Sequence, residues 1–560
     1  MNKKAKFLKT VCLLACLLAG ALTASASIAY DFEVDGVYYK KYYNDSTVYV
    51  TYENSIWYGG TYSGNYGPEG NDYSGDIVIP ETVSFNGKTY KVRGIGGGAF
   101  YNCTALTSII IPNSITRIDC LTTTYSTGGG YGPGTSYEVY YGAFQGCVAL
   151  TSVEVPDGVT LIGGYAFRGC SNLVEISVPS AVTSIGAAAF SGCTSLTHFD
   201  MPNSIKTIGA SIFYGCSSLS HVTLSESLEG ISNYAFYNCV ALQNVTIPES
   251  VTSIGNYSFY NCTSIMDVIV PNDVTSIGDY AFWNCTGVTY LSLNDNLGSI
   301  GNYAFQNCSG ISSINIPGTV NGIGNYAFDG CTGLASVKLN QGIKTIGDYA
   351  FRNCTRLSNL TMYEGLSSIG NYAFNGCTRL NTVTIPAATI GDYAFDACTR
   401  LTTVNITNSV TKIGKYSFRG CDRLANLSLG NALVLIDSYA FQNCTSLDGV
   451  TLPISLTTMG SNVFDGCSTM TSIIVPDGVT TMGTYGFKGC TGLKTAKLGE
   501  GLTRVPDYCF QNCSSLESVT IGNAVTAIGQ YAFENCVGLT GVTIPENVTI
   551  INQYAFSGCI

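Results

Sequence analysis

His198 and His221 are the only imidazoles in this 560-residue chain, and they stand 23 residues apart. In a 23-residue repeat they would face each other on adjacent turns about 5 Å apart, near enough to share a metal ion with Asp200 or Asp267. Duplication offers a plainer origin, because copying a repeat puts like residues at like positions without any chemistry, and equivalent positions elsewhere hold Asn244, Ser313, Asn359 and Thr382. No metal site and no cofactor is assigned. A Gly-x-Ser-x-Gly elbow and a His-Glu-x-x-His helix are absent, and Gly87-Lys88-Thr89 has Thr82 where a phosphate loop needs its first glycine. The carboxylates are scattered among repeats rather than paired, so the chain is not expected to be an enzyme.

Cysteine is the other reactive type. Of 24 cysteines, 20 end a Phe-x-x-Cys motif, and from Cys147 through Cys377 every step is 23 residues. The rest are Cys12, Cys16, Cys120 and Cys509. Turns about 4.8 Å apart bring successive cysteines just inside disulfide range, but stacked equivalent side chains point the same way. Reduced thiols packed as small hydrophobes are therefore expected. Zinc would need Cys-x-x-Cys pairs, and none occurs. Asn102, Asn261, Asn284, Asn307, Asn353, Asn443 and Asn512 form sequons with the following Cys and Ser or Thr, but Asn beside a buried Cys reads as a turn residue.

Two rows could recognise a partner. Tyrosine lies two residues before the repeat Phe in 15 of 20 copies, among them Tyr257, Tyr280, Tyr303, Tyr326, Tyr349 and Tyr372. Stacking between turns gives this row a structural role; its contact area gives it a binding role. Arg356, Arg379, Arg400 and Arg423 each stand two residues after the repeat cysteine on four consecutive turns. Neighbours in that row repel by about 0.8 kcal/mol in water. Either Asp348 and Asp392 compensate from within the coil, or an anionic ligand does.

These residues need a scaffold that repeats. One 23-residue unit cannot bury its own apolar side chains, so copies must stack and share a core, with Phe236, Phe259, Phe282 and Cys239, Cys262, Cys285 as its ladders. In Leu242–Pro248 alternation turns Val245 and Ile247 inward, which marks a strand ended by proline. Val251–Gly255 reads as a second extended piece, and Asn256–Cys262 as one helical or 3₁₀ turn. The fold class expected is thus a β-rich α/β solenoid, a leucine-rich-repeat-type coil of about 20 repeats of 23 residues with a small N-terminal β cap.

Residues 1–26 read as a signal peptide: Lys3, Lys4, Lys6 and Lys9 precede an apolar run and Ala24-Ser25-Ala26 offers a cleavage site. Leu13-Leu14-Ala15-Cys16 resembles a lipobox, although the apolar run continues past Cys16. Losing the four lysines moves the net charge from −11 to −15, so nucleic acid is not an expected partner. No other stretch suits a membrane span, and no membrane insertion of the mature chain is expected. Residues 30–93 lack the period and carry strand signals around Asp35-Gly36 and Asn86-Gly87, the expected hairpin cap. Residues 94–560 form the solenoid, with a loop insertion at 120–141 containing the Gly-rich 127–134. Two residues are missing from the turn near Ala387-Ala388-Thr389, which should be tighter. Because the sequence stops one residue after Cys559, an uncapped last turn is expected, either truncated or open to self-association.

The repeat Leu-x-x-Val-x-Ile-Pro-x-x-Val-Thr-Ser-Ile-Gly-x-Tyr-Ala-Phe-x-x-Cys, from about Ile95 to Cys559, resembles the BspA-type leucine-rich repeat of bacterial surface and related protist proteins. Asp31–Tyr39 and Tyr90–Val92 resemble the caps of such proteins. The resemblance implies an exported, non-enzymatic cell-surface or secreted binding protein, an adhesin contacting an extracellular protein or glycan ligand such as host matrix proteins or other cells. It carries no ligand-binding residue. Ser114, Gly158 and Ser250 stand where better-known leucine-rich repeats place Asn or Cys, so the usual Asn ladder is expected to be missing. The alternative function is a structural surface layer that assembles from copies of the chain.

Overall fold

The computed structural model describes residues 27–28, 30–42, 46–57, 66–68, 73–126 and 136–560. Residues 1–26, expected to be a signal peptide and including Cys12 and Cys16, and the Gly-rich 127–134 lie outside the described residues. The chain falls into two units, Met1–Leu242 and Gln243–Ile560. The 20 copies of Phe-x-x-Cys delimit about 19 turns of about 23 residues, built as a parallel-strand solenoid of leucine-rich-repeat type.

In the second unit an 11-stranded parallel sheet runs from Ser253–Ile254 to Thr481–Met482, one two-residue strand per turn. Each places an Ile or Met inward: Ile300 pairs with Ile323 and Ile346 follows in register. Glycine follows ten of these eleven strands, with Asp437 after the other, because the turns nearly touch. A Cβ on Gly301 would lie 2.5 Å from the carbonyl carbon of Gly278. The Val-x-Ile strands pair in shorter runs, such as Ser313–Ile316, Ser336–Leu339 and Asn359–Thr361. The two-residue deletion is absorbed between Thr382–Ile385 and Thr389–Ile390, and both strands keep their register with the following turn.

The first unit holds a nine-stranded sheet in which Lys88–Ile95 pairs in parallel with Arg117–Ile118 of the first turn. Its hairpins turn at Asp35-Gly36 and Asn86-Gly87, all four residues having positive φ. Phe32 stacks on Phe85 at 4.5 Å, and Tyr73 lies 5.0 Å from Phe100, the first Phe of the repeat ladder. Cys120–Ser126 and Ser136–Gly142 make an antiparallel hairpin.

The α/β part of the expected class does not hold, since the described residues contain no helix. The segment Asn256–Cys262 shows why. Tyr257 and Asn261 have φ of 56° and 59°, in the left-handed region, which interrupts a right-handed helix. The amides of Tyr257, Phe259 and Asn261 donate to the carbonyls of Asp279, Ala281 and Trp283 in the next turn, at 2.9, 2.7 and 2.7 Å. A helix needs those donors within the segment; here they hold turns together. Asn or Gly recurs before the cysteine because that residue also has positive φ, as at Asn284, Asn307 and Gly330.

Inside, Phe259, Phe282, Phe305, Phe328 and Phe351 stack at 5.0 to 5.2 Å, and all are buried. In the first unit Phe213 and Phe236 stack at 5.5 Å. The cysteines described are free thiols. From Cys147 on, the repeat cysteines donate through Sγ to the carbonyl of the Phe one turn back, as Cys239 to Phe213 at 3.1 Å, Cys285 to Phe259 at 3.0 Å and Cys308 to Phe282 at 3.0 Å, whereas Cys103 and Cys120 donate to the nearby carbonyls of Tyr101 and Leu121. Cysteine therefore fits this position as a small hydrophobe that also satisfies a buried carbonyl. Burial pushes Cys170, Cys216, Cys285, Cys398, Cys467 and Cys536 up to about 12.

A second ladder was not read from the sequence. The side-chain oxygens of Asn256, Asp279, Asn302, Asn325, Asp348, Asn371 and Asp392 each accept from the backbone amide of the equivalent residue in the next turn, at 2.6 to 2.9 Å. The expected loss of the usual Asn ladder concerned the residue after the Val-x-Ile strand; this one follows Ile-Gly. Its signal was present as the Asn or Asp before each tyrosine from Tyr257 to Tyr393, but periodicity alone does not say which polar row faces a neighbouring amide.

Two outcomes follow from this packing. Ser258 replaces the usual Ala, is buried, and has no hydrogen-bond partner among the described residues, whereas Ser417 donates to the Gly414 carbonyl at 2.8 Å. In urea titrations, Ser258→Ala should stabilise by about 1 kcal/mol and Ser417→Ala should be neutral or destabilising by about as much; equal effects would contradict the assignment. The thiols set a pH limit. Below about pH 7.5 both folded and unfolded chains keep them protonated and their contribution is fully present; as pH rises through the ordinary thiol value of about 8.5 only the unfolded chain releases protons, until the folded thiols titrate near 12. Each buried thiol then removes up to about 1.4 kcal/mol of stability per pH unit, and the six named above about 8 kcal/mol. Urea midpoints should fall steeply between pH 9 and 10, with a shallower fall in Cys285→Ala; a flat profile would refute this.

Candidate interaction surface

Tyr257, Tyr280, Tyr303, Tyr326, Tyr349, Tyr372, Tyr393, Tyr416 and Tyr439 form one unbroken stack, with centroids 4.4 to 4.7 Å apart and planes within 13°. The rings are half-buried. All nine tyrosines have φ between 56° and 62°, a conformation costing about 1–2 kcal/mol for a residue with a Cβ. Two neighbouring rings, each contributing about 0.5–1.5 kcal/mol, offset that cost. Stacking also decides what the row offers a partner. Both faces of every interior ring are covered, so neither a sugar nor a second aromatic can stack on it, and only edges and hydroxyls remain.

Beside this stack runs a row that sequence reasoning passed over, one residue after each Phe. Tyr260 stacks on Trp283 at 4.4 Å, and the indole donates to Gln306 at 2.7 Å. Gln306 donates to Asp329 at 2.8 Å, and Asp329 takes both nitrogens of Arg352 at 2.9 and 2.8 Å. The guanidinium lies 5.4 and 4.9 Å from the Tyr326 and Tyr349 centroids. Asn375, Asp396 and Arg419 repeat the set, with Arg419 against Tyr393 and Tyr416. Bidentate pairing holds both guanidinium groups further toward the charged form than usual. Amide, acid and base follow one another turn by turn in these two sets, so Asp329 and Arg352, and Asp396 and Arg419, neutralise each other within the protein.

The row of Arg356, Arg379, Arg400 and Arg423 is different. All four side chains are exposed, and among the described residues none has a carboxylate within ion-pair distance. Compensation by Asp348 and Asp392 does not occur. Their carboxylates accept from the backbone amides of Asn371 and Lys415 at 2.6 and 2.8 Å, on the far side of the Phe-x-x-Cys segment in sequence.

His198 and His221 are register partners on adjacent strands and both are exposed. Asp200 accepts from Thr223 at 2.7 Å, and Asp267 belongs to the second unit. Among the described residues no three ligating side chains converge. The outward strand positions form a polar floor: Thr382, Thr403 and Asn426 in register, then Thr384, Asn405 and Ser428.

The family model for the BspA type leucine rich repeat region matches the chain in six copies over residues 81–122, 137–266, 252–381, 344–471 and 434–560. No curated protein matches the chain. Among solved structures the chain is similar to a leucine-rich repeat protein from Bacteroides ovatus, at 25% identity over 88% of this chain and 94% of that one, with a TM-score of 0.39. A T. pallidum leucine rich repeat protein matches at 29% identity over 31% of this chain and 82% of its own, with a TM-score of 0.28. A leucine rich cell surface protein from Faecalibacterium prausnitzii matches at 21% identity over 90% and 96%, with a TM-score of 0.30.

The tyrosine stack predicts an inverted substitution order at Tyr326. Phenylalanine keeps both stacks and should change stability by less than about 0.5 kcal/mol, because the ring is retained. Alanine loses both stacks yet keeps the backbone cost, and should destabilise by about 1–3 kcal/mol. Glycine should be better tolerated than alanine by about 1 kcal/mol. Urea titration of the three variants checks this; alanine ranking above glycine would contradict it.

Proposed function

The chain belongs to the BspA-type leucine-rich repeat family, and on that premise we propose that it is an exported, non-enzymatic binding protein that contacts an extracellular protein or glycan through its repeat surface, as an adhesin does. The observation that carries this reading is the wall itself. Successive turns in register present rows of like polar groups, Ser313, Ser336 and Asn359 beside Asn315, Lys338 and Thr361. Such a wall suits many weak contacts that add through avidity. The backbone of each strand is held in register by its neighbouring turns, so no backbone ordering is needed on binding.

No helix among the described residues is long and apolar enough to cross a membrane. Export would rest on residues 1–26, removed after Ala26.

Immobilised matrix proteins and a glycan panel, probed with the purified chain by interferometry, test the reading. Saturable binding to a subset is expected, with the product recovered from the expressing bacterium beginning at Ser27. Absence of binding across the panel, together with polymer growth in light scattering, would instead support the structural surface-layer reading.

A further inference from the structure

We propose that Arg356, Arg379, Arg400 and Arg423 form a binding site for a linear anionic polysaccharide laid across four consecutive turns, a deepening that rests on the binding reading above. Each arginine is the third residue of a four-residue turn, Cys-Thr-Arg-Leu in three copies and Cys-Asp-Arg-Leu in the fourth, closed by the amides of Leu357, Leu380, Leu401 and Leu424 donating to the cysteine carbonyl at 2.9 to 3.0 Å. The turns are tied to one another by the Thr378 hydroxyl donating to the Thr355 carbonyl, the Thr402 amide to the Asn381 carbonyl and the Ala425 amide to the Thr402 carbonyl. Four guanidinium groups therefore emerge at one turn height apart, about 5 Å.

The argument is a contrast within one molecule. Where this chain places charge for its own stability, it interleaves acid and base one turn apart, as in Asp329 with Arg352 and Asp396 with Arg419. In the exposed row four like charges follow one another, and although Asp422 precedes Arg423 in sequence, none of the four is ion-paired among the described residues. The row is also bounded: Gly310 and Gly333 precede it, and Ser446 and Thr469 follow it, at the same repeat position. A cation on each of four adjacent turns of a chain with net charge −11 is matched by a ligand whose anionic groups recur along a line.

Polysaccharide fits the surroundings better than other polyanions. The neighbouring strand positions, Asn381, Thr382, Thr403 and Asn426, offer amides and hydroxyls to sugar hydroxyls. Those strands pair with one another, which leaves no edge between them for an acidic peptide to extend. The stacked tyrosines have no free faces for nucleic-acid bases to stack on.

The test titrates the full chain with dextran sulfate, carboxymethyl dextran, uncharged dextran, poly-L-glutamate and single-stranded DNA at several salt concentrations. Dextran sulfate, carboxymethyl dextran or both should bind, separating sulfate from carboxylate as the anion, and uncharged dextran should not. Arg379→Ser with Arg400→Ser should weaken binding by about tenfold or more and lower the salt slope by about two. Serine and threonine occupy this position in other turns, so the thermal midpoint should stay within about 1 °C, a control on folding. Unchanged affinity in the double variant, preference for polyglutamate or DNA, or no polyanion binding at all would overturn the site. Binding to the matrix and glycan panel that survives the double variant would sink this inference alone; loss of all binding in the parent chain would sink the functional reading beneath it.

Discussion

Amides of one turn donating to carbonyls of the next fix a single spacing on which everything else in this molecule depends. Once Tyr257, Phe259 and Asn261 give their donors to Asp279, Ala281 and Trp283, every side chain sits directly beneath its counterpart. Phe meets Phe, thiol meets carbonyl, and Asn or Asp meets the amide above. The cost is backbone strain, because two residues in most copies take positive φ. The sequence answers that cost in two ways: Asn or Gly before the cysteine, where the left-handed region is tolerated, and Tyr two residues before the Phe, where ring stacking outweighs it.

That spacing also explains what the repeats can display. Rows that serve the coil consume their own chemistry: tyrosine faces are buried against each other, Asp329 and Asp396 are spent on Arg352 and Arg419, and the thiols are held protonated by burial. What remains for a partner is whatever the coil leaves unsatisfied at the surface. In the second unit this is the polar floor of the strands and the arginine row beside it.

Much of the architecture was legible because a 23-residue period states which residues share a row, and inward rows declare themselves by being apolar. Phe236, Phe259, Phe282 and Cys239, Cys262, Cys285 are buried as their periodicity required. The helical component was misread because Phe and Cys three apart suit a helical turn as well as two successive tight turns; only the destination of the amides separates them. Polar rows were hardest to read. Nothing in the spacing tells whether Asp348 faces a guanidinium or a backbone amide, and it faces the amide. The row after each Phe was overlooked for the same reason, since Gln306, Asp329 and Arg352 look like drift until their side chains are seen to join across turns. The candidate surface was thus located by sequence as a set of rows, but which rows were already occupied was a matter of three-dimensional contact.

An electron-density map of the full chain tests register most directly. Ring centroids of Phe282, Phe305 and Phe328 should lie about 5.2 Å apart, with the Cys308 and Cys331 sulfurs within 3.1 Å of the carbonyls of Phe282 and Phe305. Disulfides joining successive cysteines, or other side chains inserted between those rings, would contradict the account.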